Sequence, residues 1–148
     1  MEKDISYNLG FYIQRISRLI TYRHNLMLEE QGITFSQFKV LLSLWEKDSK
    51  TQNEILEDLL CKPSTLSGLI NILEKKELVK RTVDIYDARI RRIGLTEKGK
   101  SLEHVSIGII DELEAELSKD LTSSEKTNVI AILNRVKMGF EGELEETD

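Results

Sequence analysis

Apolar residues return at helical spacing over most of this chain, and the places where that spacing breaks divide it into elements. Ile5, Leu9, Tyr12, Ile13, Ile16, Leu19 and Ile20 line one side of a first helix over about residues 5–30, with Gly32 marking its end. A second helix over about 35–47 offers Phe38, Leu41, Leu42 and Trp45 to a core. A third starts at Thr51 and packs Ile55, Leu56 and Leu59. A fourth begins at Pro63, a favoured first position because proline lacks the N–H that would go unbonded there, and runs to about Lys76. The period then changes. Residues 79–83 and 90–95 are rich in β-branched side chains and flank a turn over 84–87, the pattern of a two-stranded hairpin. From Thr96 one long helix resumes, with Leu102, Val105, Ile109, Leu113 and Leu117 on a face. A last helix from Thr122 carries Val129, Ile130, Leu133, Val136 and Phe140, and the closing EGELEETD is expected to fray.

Three helix starts are marked twice over. Thr34 with Gln37, Thr51 with Glu54 and Thr122 with Glu125 follow the capping-box pattern, in which each side chain bonds the other residue's backbone N–H. The predicted fold is mainly α with a small β-wing: a winged helix-turn-helix over 31–100, flanked by long helices. Those helices, over 1–30 and 101–148, are striped with apolar residues that the central module does not need for its own core. Burying the stripes against each other and against a second copy predicts a homodimer, with these segments as a helical dimerisation region.

With 148 residues the chain has room for one core, and 40% hydrophobic against 32% charged residues excludes a disordered chain. No apolar run approaches the roughly 18 residues of a membrane span, and the N-terminus lacks the pattern of a signal peptide, so the cytoplasm is the expected location and no membrane partner is expected. One cysteine rules out an internal disulfide framework. The net charge of −5 argues against nucleic acid until its distribution is considered. Residues 62–100 carry ten Lys/Arg against five Asp/Glu, whereas residues 101–148 carry four against twelve. Phosphates respond to charge within a Debye length, roughly 8 Å at physiological salt, so the basic middle governs.

The fourth helix turns Leu66, Leu69, Ile70 and Leu73 inward and leaves Ser64, Thr65, Ser67, Gly68 and Asn71 on the other side. Short side chains let a helix backbone come close to base edges. Serine and threonine bond several bases, and asparagine pairs bidentately with adenine. Arg89, Arg91 and Arg92 sit in or just after the hairpin turn, with Lys80 and Arg81 on the opposing strand. Asp87 stands two residues before Arg89, a spacing at which a carboxylate can hold and orient a guanidinium for a narrow minor groove. A solvated helix face and an exposed charged ribbon are the plain alternatives for either feature alone. The two together, in this order, favour double-stranded DNA.

The segments ITFSQFKVLLSL (33–44), Thr51 through Leu60, STLSGLINILEKKELV (64–79), and D-A-R at 87–89 followed by LTEKG at 95–99 resemble the MarR family of winged helix-turn-helix regulators. The resemblance covers nearly the whole chain. It implies a triangular dimer on a pseudo-palindromic operator, with the fourth helix in the major groove, Arg89 in the minor groove and Asp87 bracing it. The implied DNA contacts are Thr51, Gln52, Lys62, Ser64, Thr65, Ser67, Asn71, Arg81, Asp87, Arg89, Arg91 and Arg92. A small aromatic or anionic effector is expected near Tyr12, Arg15 and Phe38, between the first two helices and the start of the fifth. The chain departs from the family pattern at Gly68 and Ile72, where arginine is frequent, at Lys62 in place of a capping serine, and at Glu77 in place of glycine. These changes imply fewer phosphate contacts from the fourth helix.

Other chemistry has little support in the sequence. Cys61 reads as a buried core residue rather than a thiol switch, which would need an exposed and activated thiol that the sequence does not reveal. His24 and His104 are isolated, so neither a metal nor another cofactor is expected. Tyr7, Tyr12 and Tyr22 on the first helix could line a pocket for a small aromatic effector, against the plainer and favoured reading as dimer-core and surface tyrosines. No nucleophile–base pair or phosphate loop indicates an enzyme. The expected function is a homodimeric DNA-binding transcription regulator, a repressor released by a small molecule. The rival is a winged helix that binds protein and no operator, which would lack the steep salt dependence of counterion release.

Overall fold

The computed structural model describes residues 5–145. A single 3-10 turn precedes α1 (Leu9–Leu28), and another, ending at left-handed Gly32, separates it from α2 (Phe35–Glu46). Then come β1 (Lys50–Thr51), α3 (Gln52–Leu59), α4 (Pro63–Lys75), β2 (Val79–Val83), β3 (Arg91–Leu95), α5 (Glu97–Ser101), α6 (Glu103–Ser118) and α7 (Ser123–Glu145). The contacts divide the chain into two compact units, Met1–Ile110 and Asp111–Asp148. All three capping boxes form, each with both reciprocal bonds. Asn8 and Thr96 add side-chain caps to α1 and α5.

Three expectations change. The hairpin is part of a three-stranded antiparallel sheet in the order β1-β3-β2, because Lys50 and Thr51 pair with Ile93 and Arg92. Two residues are too short a run to show strand periodicity. The long helix expected from Thr96 breaks at Leu102 into α5 and α6. Helix α7 continues through Glu145 into the segment expected to fray; residues 146–148 of that segment, like 1–4, lie outside the described residues.

The core of the first unit gathers Phe38, Val40, Leu41 and Leu44 of α2, Ile55 of α3, Leu66, Ile70 and Leu73 of α4, and Ile93 and Leu95 of β3. Cys61 is half-buried against this core rather than enclosed by it. A polar knot fixes α2 to α3: Lys50 Nζ donates to Asp58 Oδ2 at 2.7 Å and to Ser43 Oγ at 3.1 Å, and Ser43 Oγ donates to the same Asp58 oxygen at 2.5 Å. The Lys50 bond, then the Ser43 bond, hold the Asp58 carboxyl below its ordinary pKa. Helix α4 ends in a Schellman turn, with Leu78 N–H donating to Leu73 O at 3.0 Å and Glu77 N–H to Glu74 O at 2.9 Å. Glu77 takes the left-handed position at φ 59°, where its Cβ costs about 1 kcal/mol that glycine would not.

His24 is buried with its ring stacked on Phe35 at 4.3 Å, and neither ring nitrogen has a hydrogen-bond partner among the described residues. Burial pushes its pKa below the ordinary 6.5. The unfolded chain therefore takes up a proton near that pH while the folded chain resists, so stability is full above about 6.5 and declines as pH falls below it. Urea melts between pH 7.5 and 5.5 are expected to show this decline in the natural chain and a shallower one in His24→Phe. Parallel declines would contradict it.

Candidate nucleic-acid interface

Helix α3, a tight turn and helix α4 form the helix-turn-helix. The turn passes through Leu60, in the left-handed region at φ 50°, to Lys62, which occupies the N-cap of α4 without a side-chain cap bond. Leu66, Ile70 and Leu73 anchor α4 with no exposed surface. On the opposite side Ser64, Thr65, Gly68 and Asn71 are exposed, while Ser67 is half-buried and its Oγ accepts a 2.7 Å bond from Gln52 Nε2. A Cβ built at Gly68 meets nothing within 4 Å, so packing within the chain does not require glycine there. The bare backbone instead leaves room for close approach by a partner.

Strands β2 and β3 pair from Val79 with Leu95 out to Val83 with Arg91. Because side chains alternate along a strand, Arg81 and Arg91 share the face toward α4 and Arg92 lies on the other. Arg81 donates to Glu74 Oε1 at 2.6 Å and to Asn71 Oδ1 at 2.8 Å. Arg91 and Arg81 line a recess of about 310 Å³ with Gln52, Thr82, Val83 and Ile93. At the wing tip Asp87 grips Arg89 three times: Oδ1 accepts from the Arg89 backbone N–H (3.0 Å) and Nε (3.1 Å), and Oδ2 from Nη2 (3.1 Å). The Arg89 side chain remains 90% exposed. A braced, solvated guanidinium thus accompanies a helix whose first two turns expose the short side chains of Ser64, Thr65 and Gly68.

The sequence model of the MarR family matches residues 33–90, which span α2, α3, α4, β2 and the wing tip through Arg89. The organic hydroperoxide resistance transcriptional regulator of Bacillus subtilis is 31% identical over 101 residues, covering 68% of this chain and 69% of that protein. The chain belongs to the MarR family. A second relative, the transcriptional regulator SarZ of Staphylococcus epidermidis, is 29% identical over 143 residues, 96% of this chain and 95% of that one. Among solved structures, the S. aureus MepR–DNA complex superimposes with a TM-score of 0.84 at 31% identity, covering 90% of this chain and 99% of that one. As a MarR-family member the protein is a winged-helix, DNA-binding transcriptional regulator and not an enzyme. No helix of the described residues is long and apolar enough to cross a membrane.

The electrostatics of this MarR-family wing follow from its pairs. The Arg89 side chain, then its backbone N–H, holds the Asp87 carboxyl below the ordinary carboxylate range, and Asp87 in turn raises the Arg89 pKa. The remaining expected contacts divide in two. Lys62, Ser64, Thr65 and Arg91 are exposed; Thr51 and Gln52 are half-buried, with the Thr51 hydroxyl occupied in the α3 cap. Arg92 turns inward, its Nε donating to Asp84 Oδ2 at 2.6 Å and its Nη1 to Ser49 O at 2.9 Å. Asn71 is also committed: Arg81 has no acceptor, so the Asn71 atom facing it is the carbonyl, and the free amide hydrogens suit a base acceptor better than the bidentate adenine pairing.

Tyr12, Arg15 and Phe38 are not brought together. Phe38 is a core residue at 2% exposure, with its ring 5.8 Å from Trp45 and 6.5 Å from His24. Tyr12 and Arg15 are exposed on α1, and Tyr12 precedes His24 by roughly 18 Å of helix at 1.5 Å per residue. A recess of about 650 Å³ lies elsewhere, between the end of α1, the start of α2 and Lys76, with Tyr22, Asn25 and Glu29 among its lining. Sequence reasoning also passed over Asp84, whose Oδ1 accepts the Tyr86 and Asp87 N–H groups at 2.8 and 3.0 Å. An aspartate at the end of a strand, before a turn, is a signal for this kind of side-chain-to-backbone turn.

Proposed function

We propose that the protein is a homodimeric repressor that occludes a promoter by binding a pseudo-palindromic operator, with α4 in the major groove and Arg89 in the adjacent minor groove. The observation that carries this reading is the braced yet solvated Arg89 at the tip of a wing whose Arg81 bonds Asn71 and Glu74 of α4. Arginine suits a narrow minor groove because the negative potential is strongest there. That MepR of S. aureus, 31% identical, was solved with DNA supports the same reading. Half-sites would lie about one helical turn, roughly 34–36 Å, apart. Its place of work would be the cytoplasm, with the DNA.

Exposed apolar residues support dimerisation. Leu9, Phe11, Ile16 and Leu19 on α1, and Ile130, Ile132 and Phe140 on α7, are each between 42% and 68% exposed. Side chains of this kind gain about 25 cal/mol per Å² when covered. Ile130→Asp is expected to shift the sedimenting species toward monomer and to weaken operator binding together. A dimer unchanged by Ile130→Asp and by Phe140→Asp would contradict the interface.

A small aromatic or anionic effector would release the operator by preferring a half-site spacing that does not fit DNA, since equal affinity for both states shifts nothing. The recess at Tyr22 and Lys76 has a suitable size and offers an aromatic face and an ammonium. In vitro transcription from a promoter carrying the preferred duplex tests the sign of regulation. Fewer transcripts with protein added are expected; more would make it an activator.

A further inference from the structure

Arg92 sits in the most arginine-rich stretch of the wing, yet its guanidinium is spent inside the protein. Its side chain is 31% exposed, against 90% for Arg89. It lies where β3 meets β1, opposite Thr51. Beyond Val83 and Arg91 the tip is held by turn bonds, Asp84 N–H to Ile90 O at 2.9 Å and Ile90 N–H to Asp87 O at 3.0 Å. An isolated two-stranded hairpin is marginal in water, so the tip needs a tie to hold a side chain to a fixed position.

The bonds form a continuous chain. Arg92 donates from Nη1 to Ser49 O at 2.9 Å and lies 3.8 Å from Glu54 Oε2, both on the helix-turn-helix side. On the tip side its Nε donates to Asp84 Oδ2 at 2.6 Å. The other oxygen of Asp84, whose side chain is only 8% exposed, holds the Asp87 backbone N–H at 3.0 Å. The Asp87 carboxylate then grips Arg89. Bonds to ionised partners are about twice as strong as neutral ones and well suited to fixing orientation. We infer that Arg92 and Asp84 form a strut that places Arg89 relative to α4, so that Arg92 is a positioning residue and not a DNA contact. The inference rests on the reading of Arg89 as a groove contact.

The two ways of using Arg92 predict opposite signs. If only charge mattered, removing the negative Asp84 from a DNA-binding wing would tighten binding. If the strut matters, Asp84→Asn loosens the tip: the amide still offers one oxygen to the turn but presents N–H groups to a guanidinium that can only donate. The test titrates the highest-affinity duplex recovered from random-sequence selection, by fluorescence anisotropy, with the full chain and with Asp84→Asn, Arg92→Gln and Arg89→Ala singly and paired. Circular dichroism establishes that each variant is folded. Asp84→Asn and Arg92→Gln are each expected to weaken binding roughly tenfold, and to cost little further once Arg89 is alanine, the non-additivity of groups acting through one another. General damage to the fold would cost affinity in either background. Unchanged or tighter binding by Asp84→Asn would overturn the strut, as would an Arg92→Gln loss that persists in full beside Arg89→Ala. If Arg89→Ala alone has no effect, the groove reading fails and takes the strut with it, whereas the first two results leave that reading standing.

Discussion

Arg89→Ala is expected to weaken operator binding by about 1–3 kcal/mol, the scale of one specific groove contact, or roughly 5- to 150-fold. The side chain is 90% exposed and, among the described residues, bonded only to Asp87, so its removal should leave the fold intact and the loss should appear in DNA affinity alone. Freeing Asp87 adds to the loss, because an unneutralised carboxylate is left at the DNA surface. Arg89→Lys is expected to recover only part of it. Lysine keeps the charge but lacks the planar fork that meets both Asp87 oxygens. Anisotropy titrations of wild type and both variants, beside thermal melts, check this. Wild-type affinity in folded Arg89→Ala would remove the wing from the interface.

Gly99→Ala is expected to cost about 3 kcal/mol of stability, combining overpacking of about 1–3 kcal/mol with one or two lost hydrogen bonds. A Cβ on Gly99 would overlap the carbonyl oxygen of Leu78. That carbonyl has no freedom to retreat, because it accepts the Thr96 N–H at 3.1 Å while Thr96 Oγ1 donates to Glu77 O at 2.6 Å. Lifting α5 instead would pull Gly99 O from Trp45 Nε1, a 3.0 Å bond that ties α5 to α2. Either movement disturbs the junction of α4, β2 and α5. Urea denaturation is expected to show a lower midpoint with an unchanged slope. An unfolding free energy within about 0.5 kcal/mol of wild type would mean that α5 shifts at little cost.

The same junction shows what the sequence makes legible. LTEKG could be read as a pattern, but the need for glycine comes from a carbonyl twenty-one residues earlier, which no local rule reveals. Capping boxes were readable because both partners lie within one turn, and Thr34, Thr51 and Thr122 each cap as expected. The Asp87–Arg89 brace was readable for the same reason. Arg92 was not. Its partners Asp84 and Ser49 lie 8 and 43 positions away, and strand alternation alone sends it to the face opposite Arg81 and Arg91. Asn71 was legible as a helix-face residue, whereas its bond to Arg81 depends on how the wing folds back over α4. Apolar periodicity puts Phe38 on a buried face, where it lies in the core, but does not distinguish core from pocket lining.

Operator recognition by α4 and the wing is tested by selecting bound sequences from random duplex DNA with the full chain and following affinity across salt. The expected result is an enriched inverted repeat with half-sites about one helical turn apart, affinity falling steeply as salt rises, and loss of enrichment at the minor-groove positions with Arg89→Ala. Recovery of no preferred sequence, with only weak binding at low salt, would contradict operator recognition by α4 and the wing.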